Sequence, residues 1–459
     1  MKRSGFRLLA ALLALTLLAA ACGDDDASDG DAGGSSGESS LATEGVVEIA
    51  AGTSLDLTAC PDDWSATQGV DGDEIRLGIS LPQSGQLAAF GPIADGMQAY
   101  FDYVNANDPI AGKDLVLVAR DDAYEAGRTV ANVEEMLETE DLFGFAYIIG
   151  SANNGAVRPN LAESCVPQLF NSTGLPAWGD PVNFPWTIGG LIAYSTEANL
   201  WCQDAAAEHG EGVTVAGLFM NNDFGKAYQA GVEACAADGL IDLVANEVHD
   251  QAAPDITNEM TNMIASEADV FIFGSTAAFC PQSVGGVAGS SWRPTFYMSN
   301  TCSNLAAFFA PVQEAAATLA AEGSAVRMAN NVKNFTDPAY AEDAAIVLGT
   351  EILAAAGLSE VGSQSTGIIF GYVVEQTLRN AVENYGQLNR VTAMASAWNL
   401  DIENPYLLDG IRNITDGVND AYTVEGARIE QVIVDGDALT FDPISELISA
   451  EGTTGSVGS

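Results

Sequence analysis

The chain has 459 residues, 47% of them hydrophobic, with 16 Lys+Arg against 63 Asp+Glu and a formal net charge of −47. That length and apolar content support a large core divided over two or three domains. So few cations exclude a basic surface for nucleic acid or anionic lipid. The balance is that of proteins from saline habitats, or of an acidic exported protein.

The first predicted element is a leader. Lys2, Arg3 and Arg7 precede an apolar run over residues 8–18, followed by Ala19-Ala20-Ala21-Cys22 and by Asp24-Asp25-Asp26. A basic head, a short apolar centre and small residues before the cut make a secretory signal peptide over residues 1–21. The run is shorter than the roughly 20 residues needed to span a bilayer. Cys22 just after the cut marks the lipoprotein form, in which an acylated thiol anchors the mature chain to a membrane surface outside the cytoplasm. Ala19 stands where Leu is usual, with Leu18 one step further out, and the alternative is an ordinary signal peptide with an incidental Cys22. Residues 23–45 are almost wholly Gly, Ser, Asp, Glu and Ala, too poor in apolar groups to repay ordering. They are expected to be a flexible spacer within an N-terminal segment, residues 22–71. Without the leader, 13 cations face 63 acids, a net charge near −50, and the only lysines left are Lys113, Lys226 and Lys333.

Six cysteines follow Cys22, an even number that favours disulfides in an oxidising compartment, although six allow about 15 pairings. Cys280 and Cys302 flank one helix and one strand, and a bridge between them closes a loop worth roughly 3 kcal/mol. Cys202 and Cys235 fall on two successive predicted helices, and Cys60 with Cys165 is left by elimination. The alternative is buried free thiols. No C-x-x-C occurs, and no metal or cofactor site is expected.

From Glu74 short apolar strands alternate with amphipathic helices. Strands are predicted over 75–81, 115–119, 145–149 and 167–170, with helices over 91–105, 128–138 and 156–163 between them. Strands separated by helices of ten or more residues read as right-handed βαβ units in a parallel sheet. A break rich in Pro, Gly and Trp covers 174–190, and the pattern then restarts. Helices are predicted over 196–209, 225–237, 256–266 and 281–288, with strands over 213–219, 241–247, 270–273 and 295–298. Further helices fall over 340–356 and 370–385, and 429–434 with 438–441 reads as a hairpin turning at Gly436. The fold class is therefore α/β, with two doubly wound parallel-sheet lobes and a disordered tail over 448–459. Ligands of such sheets bind beyond the carboxyl ends of the strands, here in a cleft between the lobes. The loops that end the strands are rich in Gly, Ser, Thr, Asn and aromatics and nearly free of charge.

Several motifs carry a resemblance: Leu81-Pro-Gln-Ser-Gly-Gln-Leu-Ala-Ala-Phe-Gly91, Arg120-Asp-Asp-Ala-Tyr124, Thr129-Val-Ala-Asn132, Phe184-Pro-Trp-Thr187, Asn222-Asp-Phe-Gly225 and Gly371-Tyr372. In this order they resemble the type I periplasmic-type solute-binding proteins of ABC transporters, in the branched-chain amino-acid group, from Asp73 to Pro443. The resemblance implies two α/β lobes joined by three hinge crossovers, lobe one from 72–190 plus 335–428 and lobe two from 191–334 plus 429–447. It places Phe90 against a ligand side chain, and Gly150, Ser151, Ser172, Thr173 and Gly174 at a ligand carboxylate. Phe224, Ser275 and Thr276 close over the ligand from lobe two, with Thr301 in the next loop and Tyr372 from a late helix. Tyr194, at the first crossover, is a further candidate. Amino-acid binders of this family hold the ammonium with an acid after the last of these strands. The matching stretch here, Ser299-Asn-Thr-Cys-Ser303, has none. An α-amino acid is therefore the second choice, after a small carboxylate or amide with an apolar body; Asp223 or Glu375 swinging in would restore it.

Catalytic readings are thin. His209 and His249 are the two histidines, both expected on the surface, and no G-x-S-x-G, P-loop or H-E-x-x-H occurs. Asp121-Asp122 is read as a cap after a strand or an interlobe salt bridge. Trp178, Trp186 and Trp201 are read as packing, with a place for one of them in the cleft. The expectation is a monomeric, non-enzymatic, membrane-anchored substrate-binding protein that carries a small solute to ABC permease and ATPase subunits. A ligand-sensing receptor of the same fold is the alternative, and a secreted hydrolase the third reading.

Overall fold

The computed structural model describes residues 40–70, 72–359 and 362–449. The expected leader, the lipidation site Cys22 and most of the spacer and tail lie outside these residues. The described chain begins with a hairpin, β1 (Val46–Ala50) and β2 (Thr53–Asp56). Leu55 and Ile49 bury its inner face, and a disulfide from Cys60 to Cys165 ties this segment to the body.

The first sheet is built from β3 (Glu74–Leu81), α1 (Pro92–Asn107), β4 (Asp114–Asp121), α2 (Ala126–Thr139), β5 (Gly144–Ala146), α3 (Ser151–Glu163), β6 (Gln168–Asn171) and β7 (Thr187–Gly189). Its five strands run parallel in the order β4-β3-β5-β6-β7. The second sheet follows the same logic through α4 (Tyr194–His209), β8 (Val213–Met220), α5 (Asp223–Ala237), β9 (Ile241–His249), α6 (Thr257–Ser266), β10 (Val270–Gly274), α7 (Phe279–Ala288), β11 (Thr295–Met298), α8 (Gln313–Ala321) and β12 (Val326–Asn330). Strands such as β10, Val-Phe-Ile-Phe-Gly, are apolar at every position because helices cover both faces.

The chain then returns to the first lobe as α9 (Ala344–Ala355), α10 (Gln364–Tyr385) and α11 (Arg390–Ala397), with α9 and α10 packed on α1. A two-stranded ribbon, β13 (Asp401–Ile402) with β14 (Asn413–Ile414), precedes β15 (Gly426–Asp435), β16 (Ala438–Pro443) and β17 (Ile448–Ser449). β15 lies antiparallel to β12, giving the order β16-β15-β12-β11-β10-β8-β9. The chain thus passes between the sheets three times: after β7, after β12 and before β15.

Differences from the sequence reading have local causes. The strand expected over 145–149 stops at Ala146, since Tyr147 takes φ 58°. The helix expected over 156–163 starts at Ser151, because buried Asn153 and Asn154 find partners inside the fold and offset their poor helix propensity. Arg428, assigned above to lobe one, pairs with Asn330 in the second sheet, and Ile448 and Ser449, assigned to the disordered tail, pair with β15. The strands β1, β2, β7, β12, β13 and β14 and the helices α8 and α11 had no expectation. All three disulfides form: Cys60–Cys165, Cys202–Cys235 and Cys280–Cys302.

Candidate functional site

In each sheet one strand starts the winding and its neighbours diverge from it. β3 lies between β4 and β5, and β8 between β9 and β10. The loops leaving such strands part and expose backbone N–H groups, the usual ligand position in open α/β sheets. Here the two sheets present these ends to each other across a cavity of about 990 Å³, counting its mouth.

The first sheet contributes Phe90 after β3, Gly150 after β5, Ser172 after β6 and Leu191 after β7. Tyr194 opens α4 at the first crossing. From the second sheet come Phe224 in the first turn of α5, Thr276 after β10, Asn300 and Thr301 after β11, and Asn331 after β12. α10 adds Thr366, Ile369, Phe370 and Val373, whose spacing puts them on one helix face. Tyr124 and Tyr147 also line the cavity, at φ 65° and 58°, a backbone region that bulky residues enter only when their surroundings enforce it. The Tyr147 ring lies 3.9 Å from that of Phe370.

The lobes are drawn together over this space. Asn304 Nδ2 donates to the Gly362 carbonyl at 2.7 Å, and Gln251 Nε2 to the Tyr124 carbonyl at 3.4 Å. Phe90 meets Phe308 edge-on at 6.0 Å. These contacts bridge the domains of the two sheets.

No Asp, Glu, Lys, Arg or His is among the described lining residues. Helices α3, α4 and α10 begin at the wall, near Gly150, Tyr194 and Thr366, and none has a side-chain N-cap. A helix start favours an acceptor or anionic group, although here the Tyr194 and Thr366 N–H groups already donate to the Gly174 and Ser363 carbonyls. A buried acid bonded to the wall is already engaged. Glu197 accepts the Asn300 N–H at 2.6 Å on one oxygen and the Tyr228 hydroxyl at 2.5 Å on the other. Burial pushes it up to about 8, against the opposing effect of those two hydrogen bonds. Burial likewise raises Tyr194, to about 12, keeping its hydroxyl neutral.

Of the residues singled out in the sequence, Phe90, Gly150, Ser172, Tyr194, Phe224, Thr276 and Thr301 line the cavity. Five do not. Ser151 and Thr173 are buried beside the Tyr194 side chain and bond to each other at 2.6 Å. Gly174 is a packing position: its carbonyl accepts the Tyr194 N–H, and a Cβ there would lie 2.1 Å from the Ile192 carbonyl oxygen. Ser275 is sealed behind the wall, bonded to His249 Nε2 at 2.8 Å. Tyr372 sits two positions beyond Phe370, on another side of α10, and packs on Tyr100 and Tyr406.

His249 is buried, correcting its expected surface place, while His209 is exposed and bonds Thr295. The His249–Ser275 pair has the contact of a base and a hydroxyl, yet Ser275 has no exposure through which a substrate could reach it. Asp121 and Asp122 cap the end of β4: Asp121 accepts from Gln83 N, Ser84 Oγ and Ala123 N, and Asp122 from Ser80, Tyr124 N and Thr129. Trp178, Trp186 and Trp201 are buried packing residues outside the cavity wall. Sequence reasoning missed Tyr124, Tyr147, Asn300, Asn331 and the Thr366–Phe370 face. Tyr124 and Asn300 had a signal, Tyr124 as the last residue of a quoted motif and Asn300 inside the quoted stretch Ser299–Ser303.

This architecture has known counterparts. A branched-chain amino-acid ABC transporter protein from Thermus thermophilus with bound valine superposes with a TM-score of 0.71 at 17% identity, over 82% of this chain and 96% of that one. A fatty acid ABC transporter substrate-binding protein from Thermomonospora curvata gives 0.68 at 16% identity, over 85% and 96%. A solute-binding protein from Rhodopseudomonas palustris in complex with p-hydroxybenzoic acid gives 0.67 at 15%, over 83% and 98%. No curated protein sequence matches the chain. The family model described as periplasmic binding protein matches residues 74–412, most of the described body, and with the two-lobed type I fold around a cleft it shows that the chain belongs to the periplasmic binding protein family.

Proposed function

We propose that this protein is the lipid-anchored, monomeric solute-binding component of an ABC importer, working outside the cytoplasm. Its solute is a small carboxylate or amide with an apolar or aromatic body and no free ammonium. The observation that carries the reading is a cavity enclosed by both lobes, walled by aromatic rings, open to the starts of three helices and lined by no ionisable acid or base other than tyrosine. A buried ammonium without a carboxylate partner costs several kcal/mol, and Glu197, a buried acid bonded to the wall residue Asn300, has both oxygens occupied. The compounds named for the three structural neighbours, valine, a fatty acid and p-hydroxybenzoic acid, all contain a carboxyl group. The moving bodies would be residues 72–190 with 335–425 and residues 191–334 with 426–447.

Ligand contacts to both lobes exist only when they are shut, so binding favours the closed form. A thermal-shift panel of small carboxylates, amides and their α-amino counterparts tests the reading. A true solute at 100 times its Kd adds about 2.7 kcal/mol of stability, a shift of a few degrees. The deaminated compounds are expected to shift the transition and the amino acids are not; a panel in which nothing shifts it contradicts the proposal.

A further inference from the structure

Most polar groups at the cavity wall are already engaged. Thr301 Oγ1 bonds Ser299, Ser363 Oγ donates to the Ala89 carbonyl, and both polar atoms of the Asn304 amide are bonded, as are those of Asn404. Two side chains stand out. Thr276 is 3% exposed and its Oγ1 has no partner. Asn331 is 6% exposed and lines the cavity, and among the described residues its side-chain amide makes no protein hydrogen bond, which leaves it open to the cavity. Buried polar atoms are almost always paired, so the unpaired Thr276 hydroxyl at the cavity wall points to something that enters it.

Asn331 is also held rigidly. It is the first residue after β12, at the second crossing, and its carbonyl accepts the Leu408 N–H at 2.9 Å while Val332 bridges to Leu407. A side chain on a clamped backbone selects sharply among ligand head groups.

We propose that Asn331, assisted by Thr276, is the specificity-determining residue of the solute site, reading the polar head group and rejecting a free ammonium. This rests on the solute-binding reading above. The neutral amide offers a donor to a carboxylate, or a donor and an acceptor to a carboxamide, and gives an ammonium no counter-charge. The role belongs to this one position: an acid here would face the same space and invert the preference.

Calorimetry of the full mature chain with 4-methylpentanoate, 4-methylpentanamide, benzoate, benzamide and leucine tests this. The wild-type protein is expected to bind at least one deaminated compound ten times or more tighter than leucine. Asn331→Ala is expected to weaken that compound about tenfold while leaving the thermal midpoint of the unliganded protein within a degree or two. Asn331→Asp is expected to lose the carboxylates and gain leucine. If the wild type binds a deaminated compound and both variants bind it with the same affinity and the same preference over leucine, Asn331 is not the reader, and the solute-binding reading stands without it. If the wild type prefers leucine, the proposal fails. If the wild type binds none of the five, this inference fails along with the ligand class proposed above.

Discussion

Glu197 is the residue on which pH acts most directly. It is fully buried between the Asn300 N–H and Tyr228, and burial raises it to about 8 from an ordinary value near 4.5. Its folded value lies above its unfolded one, so the folded state holds a proton that the unfolded state has released. That contribution to stability is present below the unfolded value and is lost as pH rises toward 8, at up to about 1.4 kcal/mol per pH unit. His249 works in the opposite direction. Burial lowers its pKa, so its contribution is complete above about 6.5 and is lost as pH falls below that. Between pH 6.5 and 8 Glu197 acts without that opposition. Chemical denaturation of the wild type is expected to show stability falling over this window, with the fall removed in Glu197→Gln. Equal slopes in the two proteins would show that Glu197 carries no such proton. Residues of this kind were invisible in the sequence. Its partners lie 31 and 103 positions away, whereas Asp223 and Glu375, which looked available, are exposed and paired with Arg379 respectively. The residues that were legible, such as Phe90, Gly150 and Phe224, stand next to strand ends, where position alone predicts a ligand loop.

The contact of α1 with α10 shows what a sequence pattern leaves out. A Cβ on Gly96 would lie 2.0 Å from the Gln364 carbonyl oxygen, and one on Gly367 would lie 2.2 Å from that of Ile93 and 2.4 Å from Met97 N. The neighbours are backbone atoms, which cannot rotate away, so both glycines are fixed by helix-to-helix approach. Gly367→Ala forces these helices apart at the element that carries the Thr366–Phe370 face of the cavity. It is expected to cost about 1–3 kcal/mol, read as a drop in the thermal midpoint. A midpoint unchanged from wild type would mean that the helices do not cross so closely. Because Gly lowers helix propensity, Gly367 also hid the true start of α10, which was expected at Phe370 and lies at Gln364. With the start displaced, Thr366 and Ile369 fell outside the predicted helix, while Tyr372, taken from the resemblance, lies on another side of it. Strands fared better where β-branched runs were long. β8 and β9 match their expected spans closely, while β7 is three residues long and sits in a Pro- and Trp-rich stretch that carries no periodic signal.

At the scale of the molecule, two rounds of strand and helix separated by a Pro- and Gly-rich break made two doubly wound lobes readable from the chain alone. Which lobe receives the returning helices α9–α11 and the β15–β16 hairpin was not readable from periodicity, since both sheets have room at an edge. That assignment came from the resemblance, and the pairing of β15 with β12 and the packing of α10 on α1 decide it. The same three passages between lobes allow hinge motion; Lys333 to Asp343 and Asp337 to Thr440 and Phe441 join the lobes beside the later passages, and Asn304 to Gly362 and Gln251 to Tyr124 join them elsewhere. A solute that touches both lobes adds its contacts to these and favours the shut arrangement. The most direct test is small-angle X-ray scattering of the mature protein, with and without a solute that stabilises it in the thermal-shift panel. The account predicts a smaller radius of gyration with the solute bound, as an open pair of lobes shuts. An unchanged radius at saturating solute would contradict hinge closure as the means of capture.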